Sequence, residues 1–500
     1  MKLKTLFSST SRLWPIKRHE LPKFLPLLLL KFLVSTIYTT ITCMKDTLVV
    51  TANQSGAEVI PVLKAAFVFP CSILCAVIYA KLSNHLKRST MFYGVIWFFM
   101  IIFFLYGFIL YPYSDALTPY KSAAWLSSFL GKGYAHWVAV YYNWAHSLFF
   151  IIAEMWGQIA IFLLFWGCAN QICTINEAKR SYTLFIAAGN IGAIATGPLS
   201  AYYVSKFASQ GFAPVLQSLL IYVLICGVLM CVTYRWMDRV VLKEKRVAQL
   251  EQTDSKKPSL SLIQSIRHIF SSKHLLCIAG MVVACALTIN IVEITWKVRL
   301  KILYPNPGQY QAFYAQAISW VGIVSFIVVF LIGGGLLRRF SWRFSALISP
   351  LIIGLTGGMF FLLSYFYSAL GSAFSLFATS PLLFIVFFGA FQNILSKVVK
   401  YSFFDSTKEM AYIPLDQESK VKGKAAVDVI GSRLGKSCSS WVHVGILSLA
   451  GSSSVLTITP YLLPVVLGAS LLWVYCAWYI SRQIEGKEEV KDEGLVKSGT

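Results

Sequence analysis

The stretch MDRVVLKEKRVAQLEQTDSKKPSL at 237–260 is the longest polar run in a 500-residue chain that is otherwise 57% hydrophobic and 13% charged. Its Lys, Glu, Gln, Ser and Pro suit a connector in water, and they predict a linker over 237–273. Apolar runs of about 20 residues lie on both sides of it, each enough to cross a hydrocarbon layer of roughly 30 Å. Spans are expected near 24–43, 61–82, 90–111, 142–169, 182–204 and 214–236 before the linker. After it they are expected near 275–296, 312–336, 344–368, 377–403, 424–450 and 457–480. Six spans, a polar break and six more make an all-α polytopic membrane protein with two six-helix bundles. The chain then divides into a cytoplasmic N-terminal segment (1–23), an N-terminal bundle (24–236), the linker (237–273), a C-terminal bundle (274–481) and a cytoplasmic tail (482–500).

A charged share so far below the roughly 25% of soluble domains, with a mean hydropathy of +0.66, excludes a soluble enzyme. The charge is unevenly spread: 44 Lys and Arg stand against 21 Asp and Glu. Lys2, Lys4, Arg12, Lys17, Arg18 and Lys23 crowd the N-terminus, and basic residues recur at 81–88, 235–273, 338–343 and 408–424. The intervening loops near 205–213, 369–376 and 451–456 carry only Lys206. That alternation places both termini in the cytoplasm. It leaves no compact basic domain, so nucleic acid is not an expected partner. Eleven cysteines without a CxxC pair read as buried thiols, and neither a metal nor a cofactor is expected. About twenty polar residues precede the first span and no small-residue cleavage site follows it, so that span is expected to be retained. The short leader points to a bacterial inner membrane, and its basic, Ser-containing start also suits an organellar envelope.

Two halves of six spans are the pattern of major-facilitator-type transporters, whose halves rock about a central site. In such a fold the first and fourth helices of each half line the cavity. Lys31, Lys45, Asn143, Glu154, Asn290, Glu293, Lys297, Gln392, Asn393, Lys397 and Lys400 fall on those four helices. Each charge at bilayer depth costs roughly 2.5 to 3.5 kcal/mol on insertion scales, so several together predict a polar pathway for a charged solute. Glu293 and Lys297, at i and i+4, are oriented to pair, with an interfacial ion pair of little value as the plainer reading. Glu154 has no basic neighbour in sequence and needs a partner from another helix, or a proton. Lys31 is expected to snorkel to the headgroups. His146 and His443 are expected to be satisfied core histidines, with proton relay as the alternative. Small residues in AAGNIGAIATGP (187–198) and AAVDVIGSRLGKS (425–437) allow close helix packing, which leaves Asp428, Arg433 and Lys436 to be explained. GSRLGKS is not a P-loop, because Gly431 and Gly435 enclose three residues and no strand precedes them. Arg433 and Lys436, one turn apart, still suit phosphate oxygens.

Six segments carry a family resemblance: MKDTLVVTANQSGAEVIPVLK (44–64), AEMWGQ (153–158), LLFWGCANQI (163–172), NEAKRSYTLF (176–185), INIVEITWKVRLKILYP (289–305) and EMAYIPLDQESKVKGKAAVDVIGSRLGKS (409–437). Together they resemble the ATP/ADP translocase family of obligate intracellular bacteria and plastids. The resemblance implies twelve membrane helices, transport of phosphorylated nucleotides, commonly ATP for ADP, and roles in transport for Lys45, Glu154, Glu293 and Lys436. Thr42 and Cys43 replace the family's usual Arg-Asp, and Cys438 and Ser439 replace its Gly-Gly after Gly435, Lys436 and Ser437. The resemblance places both departures at substrate contacts. Mitochondrial carriers are excluded by length and by the absence of their repeated Pro-x-Asp/Glu-x-x-Lys/Arg elements.

Lys45, Arg433 and Lys436 are then expected to hold the phosphates, with Lys397 and Lys400 as further cations, while Asn143 and Asn393 read the base. Glu154, Glu293, Lys297 and Asp428 are expected to couple and gate. An empty cavity lined by unpaired lysines resists occluding, which favours exchange. A carboxylate that pairs with those lysines or takes a proton permits the alternative, proton-coupled net import of another nucleoside triphosphate. A facilitator for a non-nucleotide solute shares the fold class. A membrane enzyme acting on nucleotides lacks its paired carboxylates or nucleophile triad. A monomer in the bilayer is expected.

Overall fold

The computed structural model describes residues 16, 20–173, 175–239, 272–332, 341–367, 369, 380–412, 415, 427 and 432–498. Among these residues twelve long helices cross between two faces: α1 (Leu21–Thr51), α2 (Val59–Tyr79), α3 (Arg88–Leu110), α4 (Trp144–Asn170), α5 (Ile175–Lys206) and α6 (Ala213–Met237), then α7 (Lys273–Leu303), α8 (Pro307–Ile332), α9 (Trp342–Tyr365), α10 (Pro381–Ala411), α11 (Ser432–Leu449) and α12 (Thr459–Ser498). No strand occurs among the described residues. The face from which α1 starts is called near, the opposite one far. Most of the expected linker, residues 240–271, lies outside the described residues.

Eleven of these helices are long and apolar enough to cross a bilayer. The exception is α11, whose Ser, Arg, Lys and His residues make it tolerable in a membrane only where other helices cover it. Two ends differ from expectation. α1 continues to Thr51 instead of 43, because Lys45 and Asp46 neutralise each other inside the helix and do not interrupt it. α12 continues to Ser498, so the expected tail 482–500 is helical almost throughout.

The packing repeats. α1 packs against α4, α5 and α6, with α3 on α6; α7 packs against α10, α11 and α12, with α9 on α12. Each bundle is thus organised around its first helix. The bundles meet where α5 lies on α8 and α2 on α11. Small residues make the first of these contacts possible: a Cβ at Gly197 would stand 2.4 Å from Ser319 Oγ, and one at Gly322 2.8 Å from the Asn190 carbonyl. The glycines of 187–198 therefore serve helix packing, as Gly189 and Gly192 do against Ser35 and Thr36 of α1. Outward faces are apolar, as on α3, where Trp97, Phe98, Ile101, Phe104 and Leu105 are exposed to the lipid side.

Candidate functional site

Lys45 lies 24 residues after Leu21 in α1 and Lys297 lies 24 residues after Lys273 in α7, so two 31-residue helices offer equivalent lysines to the space between the bundles. Asp46 joins them. Its Oδ1 accepts from Lys45 Nζ at 2.7 Å and its Oδ2 from Lys297 Nζ at 2.8 Å, and the residue is only 1% exposed. The chain extends at both ends. Lys45 Nζ is also 3.0 Å from Glu154 of α4, while Glu293 lies 3.0 Å from Lys297 and 3.5 Å from Lys397 of α10. Glu154, Lys45, Asp46, Lys297, Glu293 and Lys397 therefore alternate in sign through four helices of both bundles.

Buried charges survive only when each is paired and its remaining hydrogen-bonding capacity is met. The Tyr314 hydroxyl of α8 stands 3.0 Å from Asp46 Oδ2 and 3.2 Å from Glu293 Oε1. Lys45 lies 3.9 Å from the centre of the Phe150 ring and Lys297 4.9 Å from that of Tyr314, positions that stabilise an ammonium.

Two more lysines belong to the cluster. Lys64 of α2 donates to Asn290 Oδ1 at 2.8 Å, and the Asn290 amide donates in turn to Ser439 Oγ of α11. Lys436 is exposed, and the cations acting electrostatically on Glu154 are Lys45, Lys64 and Lys436. Leu434, Cys438, Trp441, Gly445 and Leu449 form the lipid-side stripe of α11. At 100° per residue Lys436 points to the opposite side, toward the space between the bundles.

At 1.5 Å per residue the chain occupies a layer roughly 8 to 24 Å below the far helix ends, from Asp46 down to Lys397. Bridges between the bundles lie in the same far half: Asp46 with Lys297, Thr47 with Gln311 at 2.7 Å, Lys64 with Asn290, Lys301 with the Ser55 carbonyl, and Glu58 accepting from the Val455 N–H at 3.2 Å. Toward the near face the side chains open, with Glu154 21%, Lys397 22% and Lys400 33% exposed. The charged chain is therefore covered by bridges on the far side and partly accessible toward the near one. A recess of about 270 Å³ between α3 and α6, lined by Ile96, Trp97, Met100, Gly227 and Cys231, is apolar and suits no charged solute.

Of the residues singled out in the sequence, Lys45, Glu154, Glu293, Lys297 and Lys397 come together here, with Lys436 beside them. Asn393 is 4% exposed and donates to the Gly389 carbonyl, leaving its own carbonyl without a partner among the described residues. Asn143 does not join them: it begins α4 at the far face and donates to the Asn53 and Ala139 carbonyls, so its amide is committed to holding a loop. Asp428 and the side chain of Arg433 lie outside the described residues. Lys400 turns to Asp405, 3.7 Å away. Lys31 does not snorkel. It is 8% exposed and lies over Phe165 and Trp166, against Gly189. His146 meets the Tyr106 hydroxyl, and His443 donates through Nδ1 to the Ser439 carbonyl. Of the departures from the family pattern, Cys438 faces lipid, and Cys43 is fully buried beside Asp46, Lys297, Lys397 and Lys45.

Sequence reasoning passed over Asp46, Lys64 and Tyr314. Asp46 carried a signal, an acidic residue next to a lysine in an apolar helix, whereas Lys64 looked like a charge at a span's edge and Tyr314 like one aromatic among many.

A family model described as TLC ATP/ADP transporter matches residues 2–484. ADP,ATP carrier protein 1 of Chlamydia muridarum is 39% identical over 496 residues, covering 98% of this chain and 93% of the relative. ADP,ATP carrier protein 1 of Rickettsia prowazekii is 36% identical over 478 residues, covering 95% of each. The chloroplastic ADP,ATP carrier protein 1 of Arabidopsis thaliana is 36% identical over 485 residues, 96% of this chain and 76% of the relative. Among solved structures, a bacterial homologue of the iron transporter ferroportin in an inward-facing state superposes with a TM-score of 0.58 at 16% identity, covering 93% of this chain and all of the other. A D-xylose-proton symporter gives 0.53 at 13%, covering 92% and 96%. These two likenesses show a major-facilitator-like fold and nothing about cargo.

Proposed function

Because the chain belongs to the TLC ATP/ADP transporter family, we propose that it exchanges ATP for ADP across a bacterial inner membrane by alternating access, its near face cytoplasmic. The observation that carries the assignment of the site is the alternating chain of six charges drawn from α1, α4, α7 and α10, with Lys436 at its edge. A nucleoside triphosphate brings about four negative charges, and desolvating them without compensation is prohibitive. Lys45 and Lys436 supply compensation from both bundles, with Arg433 as a further phosphate ligand, and Asn393 offers a free carbonyl to a base amine.

In the empty protein Asp46, Glu154 and Glu293 stand where phosphate oxygens come to lie. As phosphates draw Lys45 and Lys297 from Asp46, the bridge between α1 and α7 loosens and the far side can part. Only an interaction that differs between the two states can drive such a shift, and a bridge present in one and absent from the other is one. Among the described residues the cluster holds five lysines against three carboxylates, an excess of positive charge that resists occlusion of an empty site and so enforces exchange. In a second reading Glu154, partly exposed and in salt-bridge contact with Lys45, takes a proton once phosphates have drawn the lysines away from it, and so permits net import.

Labelled ATP offered to proteoliposomes with and without internal ADP, with and without an uncoupler, tests both. Exchange requires uptake only into ADP-loaded vesicles, insensitive to the uncoupler. Uncoupler-sensitive uptake into empty vesicles would replace it by proton-coupled import.

A further inference from the structure

Three of the five lysines in the cluster are neutralised by carboxylates: Lys45 by Asp46 and Glu154, Lys297 by Asp46 and Glu293, Lys397 by Glu293. Lys64 and Lys436 have no carboxylate within salt-bridge distance among the described residues. They stand on α2 and α11, the pair of helices that close one side of the bundle interface. Lys64 is the less expected of the two. Among the described residues its only hydrogen-bond acceptor is the neutral Asn290 Oδ1 at 2.8 Å, and it lies on a wide turn of π-helix, Leu63–Val68, inside α2. Such turns displace a side chain from the regular helical face and recur at functional sites. Retaining an ammonium without a salt-bridge carboxylate at membrane depth is costly unless an anion arrives from solution.

We propose that Lys64 is a direct ligand of the nucleotide's phosphates, seating them with Lys436, and that the phosphate replaces Asn290 as its acceptor. This rests on the transport reading above and deepens it. The Lys64–Asn290–Ser439 relay ties α2 to α7 and α11, so the exchange of acceptor also removes a bond between the bundles. Substrate thereby loosens the far seal at the point where it binds. The free positive charge at Lys64 is also part of what prevents an empty site from occluding.

Wild type, Lys64→Gln and Lys64→Arg are compared in ADP-loaded and empty proteoliposomes with labelled ATP. Lys64→Gln is expected to raise the KM for ATP roughly 10- to 100-fold, the scale of a lost charge-assisted hydrogen bond, with a smaller change in kcat. Uptake into empty vesicles relative to loaded ones is expected to rise, a ratio that a merely structural role would not move. Lys64→Arg is expected to keep KM within about threefold of wild type. A wild-type KM together with an unchanged empty-to-loaded ratio in Lys64→Gln overturns the proposal. Should Lys64→Gln not fold, Asn290→Ala decides: freeing the ammonium is expected to lower the KM, and an unchanged or raised KM overturns the proposal. Wild type that exchanges no nucleotide sinks the transport reading itself, whereas normal exchange with an indifferent Lys64→Gln sinks this assignment alone.

Discussion

Replacing Asp46 by Asn removes the carboxylate that joins the bundles while keeping its shape. At 2.8 Å the gross attraction between Asp46 and Lys297 is about 6 kcal/mol for an effective dielectric constant of 20. The net loss is smaller, because Lys45 keeps Glu154 and Lys297 keeps Glu293, each at 3.0 Å, so neither ammonium is left bare. Breaking a buried pair costs roughly 3 to 5 kcal/mol, and the retained partners place this case near 3. That cost falls on the far-closed state, where the bridge exists, and not on the far-open one. The equilibrium should therefore move about 100-fold toward far-open, a factor of ten per 1.4 kcal/mol. Gln311, fully buried in the seal and bonded to Thr47, reports the change when replaced by Cys in a background without the native cysteines. Labelling by a membrane-impermeant thiol reagent applied to the far side of spheroplasts should be about 100-fold faster in Asp46→Asn. Labelling rates within threefold of each other, in two proteins of equal melting temperature, would show that Asp46 is not a latch.

Gly322→Val drives a side chain into the Asn190 carbonyl, 2.8 Å from the glycine's ideal Cβ, and overpacking of this kind costs roughly 1 to 3 kcal/mol; exchange should slow at least fivefold as α5 and α8 are forced apart, read in ADP-loaded vesicles. Glu154→Gln leaves Lys45 to Asp46 alone and adds one unbalanced positive charge, so uptake into empty vesicles should fall further relative to loaded ones and any pH dependence due to this carboxylate should disappear. His136, in the short helix Ala135–Tyr142 outside the spans, is 2% exposed with no hydrogen bond at either ring nitrogen among the described residues, and burial pushes its pKa down from 6.5 to about 4. The unfolded chain takes the proton first, so the stability due to neutral His136 is complete above pH 6.5 and is lost as pH falls toward 4; His136→Phe should flatten the melting temperature over that window.

The twelve helices were legible because lipid imposes long apolar runs whatever the tertiary contacts. The span expected at 424–450 corresponds to α11, which begins only at Ser432 among the described residues and is too polar to qualify by composition. The first and fourth helices of each half announced the site through charges that lipid would not tolerate. Partnership was not legible: Glu154 meets Lys45 across 109 positions and Asp46 meets Lys297 across 251, and no local pattern encodes such pairs. Asp46 hid because its lysine neighbour explained it locally. Lys31 misled because a lysine near a helix end can reach water or turn inward, and only the packing of Phe165 and Trp166 decides. Asn143 misled because an amide that holds a loop and one that reads a base look alike in sequence.

A structure of the protein with ATP or ADP bound tests the central claim, that carboxylates occupy the phosphates' place until substrate displaces them. The account predicts one polyphosphate touching Lys45 or Lys64 from the first bundle and Lys297 or Lys436 from the second, with Asp46 and Lys297 drawn apart. A nucleotide bound to one bundle alone, with the Asp46–Lys297 contact still at 2.8 Å, would contradict it.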